Sequence, residues 1–138
     1  MSSAINVTVA DRAGRKTAST GSKWEPILGY SRAVRSGNLI AVTGTVGVNA
    51  DGSYSPSLAD QTRRSLAIIQ AAIEALGGQI GQVIRTRMYV TDVSKWEEVA
   101  RVHGEVFSAI RPATTIVEVP RLIDKDAQIE IEADAVVA

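Results

Sequence analysis

The sequence predicts an α+β domain in which a mixed sheet carries two helices on one face. Three observations lead there. Several short stretches alternate apolar and polar residues, two longer ones place apolar residues three and four apart, and their order is two strands, helix, strand, helix, two strands. A chain of 138 residues suits one compact domain that buries about two-thirds of its extended-chain surface. We therefore expect a single domain over residues 1–138, with residues 1–24 forming a polar N-terminal extension.

Within that extension Ile5, Val7 and Val9 alternate with Asn6 and Thr8, the period of a short half-buried strand, before a stretch rich in Gly, Ser and Thr up to Gly21-Ser22. Ser31 to Arg35, the turn residues Ser36-Gly37-Asn38 and then Leu39 to Thr45 predict a β-hairpin. A loop follows at Asn49 to Ser53. Ser57 with Asp60 three residues later opens a helix, whose buried stripe is Leu66, Ile69, Ile73 and Leu76 and whose end is Gly77-Gly78.

Ile84 to Thr91 is the next strand, with Arg85, Arg87 and Tyr89 on one face and Ile84, Met88 and Val90 on the other. Ser94 and Glu97 form a second capping box. The helix they open carries Trp96, Val99, His103 and Val106 on one stripe and ends near Arg111-Pro112. Thr114 to Val119 and Gln128 to Val137 complete the set as two strands, separated by a loop at Leu122 to Asp126. In the last strand Gln128, Glu130, Glu132 and Asp134 alternate with Ile129, Ile131, Ala133 and Ala135, so one face is acidic. An arginine-bearing strand and an acidic strand suit cross-strand or intersubunit pairing, and equally an ordinary solvated face.

The composition excludes many reactions. There is no cysteine and one histidine, so no disulfide, thiolate nucleophile, thiolate zinc site or histidine-rich metal centre is available. Fifteen Lys and Arg balance fifteen Asp and Glu, which argues against the basic stripe that nucleic acid requires. No apolar run reaches the ~18 residues of a membrane span. The amino terminus has no secretory pattern, and a cytoplasmic setting is expected. Gly77-Gly78-Gln79-Ile80-Gly81 follows a helix and reads as a cap and turn, the wrong context for a phosphate loop. His103 lies on an apolar stripe and reads as a satisfied core or interface histidine before a general base. The candidates for activating water are Glu130 and Glu132, whose burial would raise their pKa towards a useful range, while a salt bridge to Arg85 or Arg87 accounts for the same residues.

Five blocks carry a family resemblance: Gly29-Tyr30-Ser31-Arg32-Ala33-Val34 with Gly37 to Gly44; Gln61-Thr62-Arg63; Val90-Thr91-Asp92; Pro112-Ala113-Thr114-Thr115-Ile116-Val117-Glu118-Val119; and Ile129-Glu130-Ile131-Glu132-Ala133. In this order, from about Tyr30 onwards, the chain resembles the RidA/YjgF family. The resemblance implies a chorismate-mutase-like α+β fold, a homotrimer with small-molecule clefts between subunits, and no cofactor or metal. Members with the full site hydrolyse reactive enamines and imines to 2-oxo acids and ammonia. By position, Tyr30 matches the cleft tyrosine, Thr43 the cleft hydroxyl, Glu130 the water-positioning glutamate, and Ile116 the strand residue whose backbone faces the ligand.

One position departs. Where the deaminase subgroup has a carboxylate-binding arginine, this chain has Thr114, whose hydroxyl offers a hydrogen bond but no charge. Ordinary 2-imino-acid deamination is therefore expected to be weak. Arg111 is a candidate substitute cation and Trp24 a candidate apolar wall, although a loop arginine and a packing tryptophan are the plainer readings. Two functions follow: a hydrolase acting at an imine, enamine or similarly polarised C=N centre through Glu130, or a non-catalytic trimer that binds a metabolite or protein in the same cleft.

Overall fold

A computed structural model of the chain describes residues 4–138. Seven strands form one sheet: β1 (Thr8–Arg12), β2 (Arg15–Ser19), β3 (Ala33–Ser36), β4 (Leu39–Val46), β5 (Val83–Val90), β6 (Ala113–Glu118) and β7 (Ile129–Val136). Their spatial order is β1-β2-β3-β4-β7-β5-β6, with β5 and β6 parallel and every other pair antiparallel. Three α-helices accompany them: α1 (Trp24–Leu28), α2 (Leu58–Ala75) and α3 (Trp96–Phe107). The expected mixed sheet with two main helices on one face is what forms. α2 packs on β4, β7 and α3.

Alternation explains which face is covered. Ile129, Ile131, Ala133 and Ala135 of β7, with Ile40 and Val42 of β4 and Met88 and Val90 of β5, meet Leu66, Ile69 and Ile73 of α2 and Val99, Val102 and Phe107 of α3 in one aliphatic core. α2 begins as its sequence implies, the Ser57 hydroxyl accepting from the amide of Asp60 at 3.2 Å. It ends at Gly77, whose φ of +85° lies in the left-handed region that side chains disfavour. The Gly37-Asn38 turn joins Ser36 to its partner Leu39, as the predicted hairpin requires.

Four local expectations are corrected. The first strand runs over Thr8–Arg12 and not around Ile5 to Val9, because a turn at Ala13-Gly14 pairs Arg12 with Arg15 and so sets the register. Its partner β2 and the short helix α1 were not foreseen, since Arg15 to Ser19 shows almost no apolar alternation and five residues make barely one helical turn. Ile84 is exposed and not part of the core face: β5 slips by one residue between Val83 and Arg85, which turns Val83 inward instead. Before α3, Asp92 and not Ser94 accepts the capping bond, from the Ser94 amide at 3.1 Å in a single 3-10 turn. Trp96, the first residue of the helix, is exposed, while Val99, Val102 and Phe107 further along are buried.

A buried amide ties this frame to the acidic strand. Gln61 of α2 is 1% exposed, its amide nitrogen donating to the carbonyls of Ser55 at 2.8 Å and Asp126 at 3.0 Å, its oxygen accepting from the Gln128 amide at 2.8 Å. It thereby fixes the chain just before β7. Gln61→Leu should leave three backbone groups unpaired in a dry site and cost about 2–4 kcal/mol in urea unfolding. A loss below about 1 kcal/mol would mean that water replaces the amide.

Candidate functional site

The site grows out of a break in β4. Val42 faces Ala133 and Thr45 faces Ile131, so β4 spends three steps where β7 spends two, and Thr43-Gly44 form a bulge. Glu130 of β7 lies against that bulge: a Cβ on Gly44 would stand 2.6 Å from its Oε2. Glycine at this point makes room for the carboxylate. Glu130 lines a cleft of about 690 Å³ together with Trp24, Tyr30, Arg32, Thr43 and Tyr54. The Tyr54 hydroxyl donates to Asp124 Oδ2 at 2.7 Å and so joins the loop after β4 to the loop before β7. A second hollow of about 730 Å³ lies against the β1–β2 hairpin. Its carboxylate, Glu25, already accepts from the amides of Thr20 and Ser22.

The electrostatics separate the two candidate glutamates. Burial, and then the charge of Glu132, push the Glu130 pKa above the usual carboxylate range, while Arg32 pulls it part of the way back. Glu132 instead accepts the Tyr89 hydroxyl, and its neighbour Asp134 meets Arg87 at 3.3 Å. Two pairs thus cross the strands of this face within the chain, and of the two glutamates Glu130 is the one that lines the cleft.

Tyr30, Thr43, Glu130 and Trp24 therefore share one cleft. Arg111, Thr114 and Ile116 do not line it. β6 is an edge strand, and β5 separates it from β7, which at ordinary strand spacing is about 10 Å. The Thr114 hydroxyl lies 2.8 Å from that of Thr86, which is itself 2.9 Å from His103 Nε2 on the helix-covered side. Ile116 packs against the core. Arg111, with φ +56°, leaves α3 in a left-handed turn and donates to the Ser108 carbonyl at 3.3 Å. His103 also packs on the Phe107 ring, 4.6 Å between centroids, and burial lowers its pKa.

Arg32 is the residue that sequence reasoning quoted without giving it a role. It is 6% exposed, and its guanidinium reaches Thr20, Gly44, Thr45 and Tyr30. One signal was present: no acidic residue occurs between Glu25 and Asp51 to pair with it locally. Among the described residues no group of three or more acidic or histidine side chains is arranged to hold a metal ion.

A small α+β domain whose mixed sheet, backed by two main helices, ends in a ligand-sized cleft beside a bulged strand is of the chorismate-mutase-like class. Within that class the chain belongs to the family described as Endoribonuclease L-PSP, the RidA/YjgF family, which it matches over residues 20–137. It is 36% identical over 125 residues to the 2-iminobutanoate/2-iminopropanoate deaminase of Escherichia coli K12, covering 88% of this chain and 97% of that protein. A crystal structure of a YjgF-family protein from Mycobacterium tuberculosis is 46% identical, covers 89% of this chain and 99% of that one, and superposes with a TM-score of 0.83. The structure of E. coli TdcF with bound serine is 29% identical over 79% of this chain and 88% of that one, with a TM-score of 0.74.

The raised pKa of Glu130 has a stability consequence of definite sign. A carboxyl that binds its proton more readily in the fold than in the unfolded chain favours folding at low pH, and this contribution is lost as pH rises through the folded pKa. Glu130→Gln should therefore melt at a higher temperature than the parent at pH 7, with the gain vanishing below about pH 4, where the unfolded carboxyl is also protonated. An equal gain at both pH values would show that burial of the charge is not the cause.

Proposed function

We propose that the protein is a small-molecule hydrolase of the RidA/YjgF family that adds water to an imine, enamine or similarly polarised C=N centre, with Glu130 as its base. The observation that carries this is the desolvated Glu130 carboxylate in a cleft with the Tyr30 and Thr43 hydroxyl residues. Water held by Glu130 attacks the electrophilic carbon and gives up a proton to the carboxylate. That proton passes to the nitrogen to give a carbinolamine, whose hydroxyl then yields its own proton through Glu130 to the amine as the C=O bond forms and the C–N bond breaks, so that ammonia and a carbonyl compound leave. The kinship with an imine deaminase at 36% identity and with a relative that holds serine supports a small ligand bearing nitrogen and a carboxylate.

The cleft is completed, on this reading, by a neighbouring copy in a homotrimer. Residues 111, 114 and 116 lie away from Glu130 in one chain, and the outer edge of β6 pairs with no described strand. Arg111, Thr114 and Ile116 can reach a carboxylate site only in the next subunit. Light scattering at micromolar concentration should give about three chain masses, and a monomer would remove this part of the reading.

Turnover is the decisive measurement. With a panel of imines and enamines generated in solution, the parent should release ammonia faster than Glu130→Ala by about 10²-fold or more. Equal rates for parent and variant across the panel would end the hydrolase reading. Ligand-dependent thermal stabilisation without turnover would favour a binding protein instead.

A further inference from the structure

We propose that Arg32 is the anion anchor of this cleft, its guanidinium holding the carboxylate of a small monoanionic substrate beside Glu130. This deepens the hydrolase reading and rests on it for the chemistry, though not for the binding. Thr114 leaves β6 without a charge to offer, and of the cations that line the cleft within one chain, Lys23, Arg32 and Arg64, Arg32 is the buried one.

The geometry of Arg32 supplies one. Its Nε donates to Thr20 Oγ1 at 3.1 Å, Nη1 to the Gly44 carbonyl at 2.9 Å and to Thr45 Oγ1 at 3.3 Å, and Nη2 to the Tyr30 hydroxyl at 3.4 Å. Those four bonds use four of the five N–H donors of a guanidinium, and the longest of them sits on Nη2. All four acceptors are neutral. None of the ion pairs among the described residues includes Arg32, so a cation that is 6% exposed has no carboxylate within contact distance. A buried charge is costly unless paired, and a tie between neutral acceptors needs no charge at all. Glu130 offsets this charge only through space, whereas a ligand carboxylate on Nη2 offsets it by direct contact.

The position matches the chemistry. Arg32 and Glu130 converge on Gly44, whose carbonyl accepts from Nη1 and whose missing side chain makes room for the Glu130 carboxylate. An anion on the Nη2 edge beside Tyr30 therefore lies next to the group that handles water. One guanidinium facing a carboxylate favours a monoanion; a phosphate dianion would be repelled by Glu130 and would want more donors. The other arginine of the cleft, Arg64, is turned towards the Val48 carbonyl at 3.0 Å.

The test compares binding of pyruvate and of its uncharged amide, pyruvamide, by calorimetry, so that no turnover is required. The parent should prefer pyruvate by about tenfold or more, and Arg32→Gln should bind the two within about threefold of each other. Retention of the parent's preference in Arg32→Gln, or no preference in the parent, overturns the proposal. A purely structural role for Arg32 would weaken both ligands alike. Should Arg32→Gln fail to fold, Arg32→Lys carries the test: it keeps the charge but loses the fork, so pyruvate should weaken by about tenfold while pyruvamide is unchanged, and equal weakening overturns the proposal. Glu130→Gln separates the two readings, because it should abolish turnover and keep the preference for pyruvate. If no C=N compound is turned over yet the preference depends on Arg32, the hydrolase reading falls and the anchor stands; turnover with a preference independent of Arg32 gives the reverse.

Discussion

Two missing side chains in and just after β4 are the constraint on which the rest of the structure depends. At Gly47 a Cβ would stand 2.1 Å from the Gln61 carbonyl, and at Gly44 it would stand 2.6 Å from Glu130 Oε2. The first approach is backbone against backbone, so α2 can lie where it does only because residue 47 has no side chain. With α2 there, Gln61 reaches Ser55, Asp126 and Gln128, and so fixes where β7 begins. The second approach admits the carboxylate itself. A bulge and a glycine together thus convert an ordinary helix-on-sheet packing into a site.

Charge is distributed by the same geometry. On the sheet face away from the helices, Arg87 meets Asp134 and Tyr89 meets Glu132, partly exposed pairs whose worth to stability is small. Glu130, one pleat further along the same strand, is desolvated and its carboxylate has no hydrogen bond or salt bridge among the described residues, which sets it apart from its neighbours. Arg32 approaches it from β3's side of the bulge and binds only neutral oxygens. Among the charged side chains that line the cleft, Arg32 and Glu130 are therefore near each other and not joined by a salt bridge. That is an arrangement suited to a ligand that carries both an anionic and an electrophilic end.

Most of the fold was legible because its elements announce themselves by period. α2 follows from Ser57, Leu66, Ile69, Ile73 and Gly77, and β7 from strict alternation after Gln128. The errors arose where period carries no information. Ile84 has the parity of Met88, and only the slip beside Val83 exposes it; Trp96 has helical spacing, but as the first residue of α3 it is exposed. β2 has no apolar alternation to reveal it, since its buried residues, Thr17 and Ala18, are small and adjacent and so lie on opposite faces.

The sequence by itself determined α2, α3, the strands from β3 to β7, the aliphatic core and the family resemblance, since each is written in spacing or in local motifs. Tertiary structure decided what lies beside what. It placed Tyr30, Thr43 and Glu130 on one cleft, moved Thr114 and Ile116 two strands away, and turned Arg32 inward with no salt bridge among the described residues. The reason is physical: sheet order, bulges and the direction of a buried guanidinium depend on contacts between residues far apart in the chain, and no local pattern of side chains records them.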